Sequence, residues 1–213
     1  MTSSASRPRV RMTGAQRRQQ LLDIGRELFG QKGYEATSIE EIAAHAEVSK
    51  PVVYERFGGK DGLYDAVVER EMHALLDRFT SALAASGRPR ELLERAALAL
   101  LDYIEEDTDG FRVLTRDAPV TGGVSTYSSL IGEVARQVEH ILGRQFADRG
   151  YDPRLAQLYS QALVGMVSLV GQWWLDNRFL PKERVAAHLV NLSYNGLAHL
   201  EPQPQLLDRP AGS

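Results

Sequence analysis

The chain has 213 residues, 43% hydrophobic and 25% charged, with a formal net charge of −3, which is long enough to bury a core and ordinary for a globular protein. It contains no cysteine, which excludes disulfides, zinc ribbons and thiolate nucleophiles and fits a reducing compartment. The longest uncharged apolar run, LVGMVSLVG, is far too short to span a bilayer, and the basic N-terminus lacks the apolar stretch of a secretory signal, so a cytoplasmic protein without a membrane partner is expected.

Charge is unevenly distributed. Residues 1–60 hold 10 Lys and Arg against 7 Asp and Glu, whereas residues 61–213 hold 15 against 21. Five arginines and no acid fall within the first 18 residues. A basic head on an acidic body predicts that only the head meets an anionic surface. Residues 1–12 have the composition of a disordered basic arm.

Thr13 opens the first predicted helix, with Gln16 completing a capping box; Leu21, Ile24 and Leu28 repeat at helical spacing until Gly33 ends the run. Thr37 with Glu40 marks a second capping box, and Ile39, Ile42, Ala43 and Ala46 predict a short helix over roughly 38–46. A tight turn at Glu47 and Val48 leads to Ser49, the predicted cap of a third helix reaching Phe57. Pro51 then lies in its first turn, where a missing N–H costs nothing and the fixed φ helps. Val53 and Phe57 share one apolar face. Lys50 and Tyr54 share another, flanked by Pro51, Val52, Glu55 and Arg56. A short capped helix, a tight turn and a second short helix with only two apolar anchors predict a helix-turn-helix, whose second helix enters the DNA major groove.

The side chains suit that task. Lys50 and Tyr54 reach phosphates or base edges, Arg56 donates to guanine, and the apolar edges of Pro51 and Val52 meet a thymine methyl. Glu55 has two readings, an acceptor for a cytosine amine or a solvated glutamate. Lys60 stands at the start of the next helix, against the macrodipole, yet beside free backbone N–H groups it completes a phosphate site. Gly58 and Gly59 allow a sharp turn before it.

Longer helices follow, marked by Tyr64 to Phe79, Leu93 to Ile104, and Ile131 to Ile141, with a loop between Thr108 and Gly123 that holds at most a turn or two of helix. The segment from Pro153 to about Leu180 is apolar on more than one face, which calls for burial on both sides; Pro181 opens a last helix, and residues 201–213 have the composition of a disordered tail. No β-alternation appears, so the fold class is all-α. Small Gly165 and Gly171, with Val164, Val167, Leu189 and Leu192, are the expected surface of a homodimer. Tyr103, Phe111, Arg112, Tyr127, Met166 and Trp173 are candidates for lining a cavity between the helices, ordinary core or surface being the other reading, with Trp174 about 100° away around its helix and Arg116 nearby. No HExxH or GxSxG motif occurs, and GRELFGQK ends an amphipathic helix, which disqualifies it as a phosphate loop. Neither catalysis nor a cofactor is expected.

The run GYEATSIEEIAAHAEVSKPVVYERFGGKDGLY, residues 33–64, resembles the N-terminal domain of TetR/AcrR-type transcriptional regulators. The matching pieces are the aromatic after the first helix, Thr-Ser-Ile-x-x-Ile-Ala, Val-Ser-Lys, Tyr-x-x-Phe and the following lysine. The resemblance implies phosphate contacts from Thr37, Ser38, Tyr54 and Lys60, and base-facing roles for Lys50, Pro51, Val52, Glu55 and Arg56. It also implies a reading domain over 13–60, and a helical domain over 61–200 that binds an effector and dimerises through its last two helices. Gly58-Gly59 departs from the polar pair often found before the lysine. Pro-Val-Val-Tyr and Gly-Phe-Arg are similar to segments of actinobacterial regulators of lipid metabolism that sense acyl thioesters. The expected function is a repressor that binds an inverted-repeat operator in double-stranded DNA and is released by a small, mostly apolar effector. The alternative is a helical lipid- or small-molecule-binding protein whose N-terminal domain makes protein contacts.

Overall fold

A computed structural model describes residues 12–84, 86–115, 127–201 and 204. The predicted arm except Met12, most of the predicted tail and Arg116 lie outside the described residues. Among those described there are nine helices and no strand: α1 (Gly14–Lys32), α2 (Ile39–His45), α3 (Lys50–Phe57), α4 (Lys60–Ala84), α5 (Pro89–Glu106), α6 (Thr108–Thr115), α7 (Tyr127–Asp148), α8 (Leu155–Asp176) and α9 (Lys182–Ala198).

The N-terminal signals act in part as expected; Ser49 stands at the N-cap of α3 but its side chain makes no capping hydrogen bond. Thr13 and Gln16 form the reciprocal capping box at the start of α1, and Gly33, at φ 84°, ends it. The cap of α2 falls one residue later than expected: Ser38 Oγ accepts from Glu41 N at 3.1 Å. Glu47 supplies the turn between α2 and α3 at φ 51°, a left-handed conformation costing a non-glycine residue roughly 1–2 kcal/mol. Both sides hold that turn. Val48 N bonds Ala43 O at 2.9 Å, while Arg17 and Gln20 of α1 donate to Ala46 O at 3.2 and 3.3 Å.

Helix α4 spans 25 residues, about 37 Å at the helical rise. It packs on α1 and α3 at one end and on α5, α6 and α7 along its length. A single cluster of buried side chains runs from Leu21 in α1 through Val53, Leu75, Leu101 and Val134 to Leu189 in α9, so the core continues across the α3–α4 turn. The segment expected to be mainly loop after Thr108 forms the two-turn helix α6, whose Phe111, Val113 and Leu114 are buried. Leu142, Phe146 and Ala156 make a smaller cluster where α7 meets α8. No helix among the described residues is long and apolar enough to cross a membrane.

Candidate nucleic-acid interface and internal cavity

Val53 is fully buried and pins α3 to the bundle, so the opposite face of this short helix is turned out. Lys50, Pro51, Tyr54 and Glu55 are exposed there, Tyr54 at 54%, and Val52 is half-buried. Lys50 is paired with Glu40 of α2, and the hydrogen bond from Lys50 holds the Glu40 carboxyl below its usual range. Glu55 makes no hydrogen bond or ion pair among the described residues. Ser38 is exposed beside this face at the start of α2.

Two expected DNA contacts turn inward. Arg56 is half-buried and its Nη1 donates to Gly14 O at 3.0 Å; instead of projecting toward a base, it braces α3 against the start of α1. Arg18, 4.6 Å over the Phe57 ring, completes the brace. Thr37 is 2% exposed, and its hydroxyl donates to Gly33 O at 2.8 Å and Leu28 O at 3.3 Å. Gly33 O belongs to the cap of α1, beyond the reach of an intrahelical donor, so the Thr37 hydroxyl ties the end of α1 to the start of α2. Thr37→Val is expected to cost roughly 1–2 kcal/mol of stability and to weaken binding to every DNA sequence without changing its salt dependence. A flatter salt slope in a mobility-shift titration would restore the phosphate role.

Lys60 is the first residue of α4, following Gly58 at φ 75° and Gly59 at φ 135°. Its ammonium lies 4.1 Å over the Tyr34 ring and donates to Glu35 O at 3.4 Å. The Tyr34 hydroxyl donates to Asp61, and that bond, with burial second, pushes its pKa up to about 12. Tyr34 is thereby a fixed platform that stations Lys60 at the end of a helix whose first N–H groups lack intrahelical acceptors. A β-carbon at Gly59 would meet the Tyr54 ring in ordinary contact at 3.5 Å, so it is the φ of 135° and not lack of space that calls for glycine there.

An apolar cavity of about 80 Å³ lies between α4, α5, α7 and α8. Phe79, Leu93, Leu100, Val134, Val138 and Val164 line it, and Ser168 and Gln145 are its polar side chains. None of the six residues expected to line an effector pocket lines this cavity. Tyr103, Phe111 and Tyr127 instead stack edge to face alongside, at 6.4 and 5.8 Å. Tyr103 donates to the buried Glu71 at 2.8 Å, and burial, followed by the Glu71 charge, raises its pKa well above the usual range. Tyr127 hydrogen-bonds Ser168 at 2.8 Å, Arg112 pairs with Asp109 at 3.4 Å, and Met166 packs half-buried on the core. Trp173 is 47% exposed and faces out. The aliphatic residues that do form the cavity carry no signal distinguishing them from ordinary core.

The expected dimer residues also divide. Val164 and Val167 line the cavity, Leu189 is buried in the core, and a β-carbon at Gly171 would lie 2.7 Å from Leu100 Cδ2. These four serve packing within the chain: α8 turns Val164, Val167 and Gly171 toward α5 and α7, and α9 packs Leu189 in the core against α5. Gly165 has open space at its β-carbon position, and Leu192 is 65% exposed. The outward stripe of α8 comprises Leu158, Leu169 and Trp173, with Phe179 edge-on to Trp173 at 5.6 Å. That stripe, and Leu192 exposed on α9, are apolar surface of the kind that marks an interaction site.

Comparisons with known proteins agree across the chain. The family model described as bacterial regulatory proteins, tetR family, matches residues 21–67, and the tetracyclin repressor-like C-terminal domain matches residues 89–196. The HTH-type transcriptional activator FasR of Mycolicibacterium smegmatis is 32% identical over 193 residues, covering 89% of this chain and 87% of FasR. A TetR-like transcriptional regulator from Rhodococcus sp. RHA1 superposes with a TM-score of 0.68 at 28% identity, covering 88% of this chain and 99% of that one. The fatty acid degradation regulator FadR from Bacillus halodurans shares the fold, with a TM-score of 0.69 at 16% identity, covering 89% and 100% of the two chains.

Proposed function

Because the chain belongs to the TetR family of bacterial regulatory proteins, we propose that it binds an inverted-repeat operator in double-stranded DNA as a homodimer and releases it when a small, mostly apolar effector binds. Residues 13–60 form the reading head and residues 61–200 the effector-binding and dimerising body of a cytoplasmic regulator with no catalytic step. The observation that carries this is the outward face of α3, where Lys50, Pro51, Tyr54 and Glu55 stand exposed on a helix held by the buried Val53. Ser38 and Lys60 flank that face and are assigned to phosphate; Val52 is assigned to a base edge.

The apolar cavity supports an apolar effector. At about 80 Å³ it is well below the roughly 300–1,000 Å³ of drug-sized ligand sites, so an occupant must part α5, α7 and α8. Such a ligand selects a wider state of the body, and operator DNA and effector then alter each other's affinity by the same factor. The similarity to FasR, an activator, favours a second reading in which the DNA-bound dimer turns transcription on instead of off. The test is a mobility-shift titration with DNA upstream of the chain's own coding region, at low salt, with and without apolar ligands that raise the thermal midpoint. A complex weakened by the ligand supports release by the effector and one strengthened by it overturns release, while transcription from that promoter with and without the protein separates repressor from activator. No complex under any condition sinks DNA binding and leaves a helical small-molecule-binding protein.

Lys60→Ala is expected to weaken all duplexes alike and to reduce the salt slope by about one unit. An unchanged slope removes Lys60 from the phosphate contacts.

A further inference from the structure

Only Asp107 separates α5 from α6, and its carboxylate has two tasks. Oδ1 accepts from Gly110 N at 3.1 Å, capping α6, while Oδ2 accepts from Arg26 of α1. Thr108 Oγ1 donates to Ile104 O at 2.8 Å and accepts from Arg178 Nη2 at 3.4 Å. Arg178 also donates to Ile104 O at 3.1 Å and lies 4.2 Å over the Trp174 ring. It precedes Phe179, on the outward apolar stripe. One corner of the chain therefore touches both the helix that braces α3 and the end of α8.

Backbone contacts make this corner stiff. A β-carbon at Gly30 of α1 would lie 2.6 Å from Asp109 Cβ, and one at Gly110 would lie 2.5 Å from Glu71 Oε2 and 2.8 Å from the Tyr103 hydroxyl. Two glycines thus let α6 seat directly on α1 and on the buried Glu71. Arg70 closes the arrangement, donating to Glu71 Oε1 at 2.9 Å and to Asp23 of α1 at 2.8 Å. Guanidinium–carboxylate pairs are directional as well as attractive, so they set an angle where apolar packing alone permits sliding.

We propose that the Asp107–Gly110 corner is a positioning joint that fixes the angle of the reading head relative to the dimer-forming helices, and so sets the half-site spacing that a dimer accepts. This rests on the dimeric reading above. Two recognition helices must meet half-sites about one helical turn apart, and a small change of angle between head and body alters that separation without altering either head.

The test uses the full chain and two duplexes, one selected from a random pool by the wild type and the same duplex with one half-site scrambled. Asp107→Asn keeps an oxygen to cap α6 but removes the charge facing Arg26; Arg178→Gln loosens the other side of the corner. Each is expected to weaken the intact site about tenfold while changing the scrambled duplex within about twofold, and to broaden the spacing recovered in a new selection. Equal losses on both duplexes, or no loss on either, overturn the joint while leaving the dimer in place. A wild-type chain that sediments as a monomer overturns the dimeric reading and the joint with it.

Discussion

A chain carrying Trp173→Asp and Leu192→Asp is expected to sediment as a monomer and to bind an intact operator roughly a hundredfold more weakly, or worse. Both side chains are largely exposed in the single chain, at 47% and 65%, so neither substitution opens a hole in the core. Burying a large apolar side chain is worth about 1.5–3 kcal/mol, and a two-fold interface uses each residue twice. Four such losses, with four carboxylates placed in an apolar contact, exceed what a dimer of ordinary size retains. Each released monomer then reaches one half-site only. Sedimentation velocity, a far-ultraviolet spectrum and a mobility-shift titration together decide the matter. An unchanged spectrum with monomer and weak binding supports this face. A dimer with full operator affinity places the interface elsewhere.

The N-terminal third was legible because its signals are local. Thr13 with Gln16, Gly33 and the Gly58-Gly59 turn each act within a few residues of themselves, and the structure has them where the spacing places them. The cap of α2 slipped by one because Thr37–Glu40 and Ser38–Glu41 fit the same pattern. What decides between them is tertiary: the Thr37 hydroxyl satisfies the end of α1, leaving Ser38 to cap. Arg56 was misplaced for a similar reason. Periodicity locates its backbone on α3 but not the carbonyl of Gly14, distant in sequence, that its guanidinium finds.

The body was legible in kind but not in orientation. A helix apolar on two faces is what α8 is, yet spacing alone does not say which face turns toward α5. The small residue Gly171 reads as a site of close approach between chains, and it is a site of close approach, but to Leu100 of the same chain. Aromatic residues were expected around the cavity because they are recognisable. The actual lining is mostly aliphatic, and leucines and valines look alike in sequence whether they border a void or fill a core.

Trp174 shows how much depends on that orientation. It is 1% exposed, its Nε1 donates to Leu180 O at 2.9 Å, and its ring carries the Arg178 guanidinium. Trp174→Ala is expected to cost roughly 3–5 kcal/mol in urea unfolding, the range for emptying a buried aromatic site. Trp174→Phe, which keeps a ring but strands the Leu180 carbonyl, is expected to cost about 1–2 kcal/mol. Unfolding must be compared at one protein concentration, because dimerisation adds to apparent stability by mass action. A Trp174→Ala chain within about 1 kcal/mol of wild type would mean that the bundle closes over the gap and that Trp174 is no anchor. The loss has a second consequence, since Arg178 reaches Thr108 from its seat on this ring. Even Trp174→Phe, with its smaller ring, is therefore expected to broaden half-site spacing more than its effect on stability accounts for.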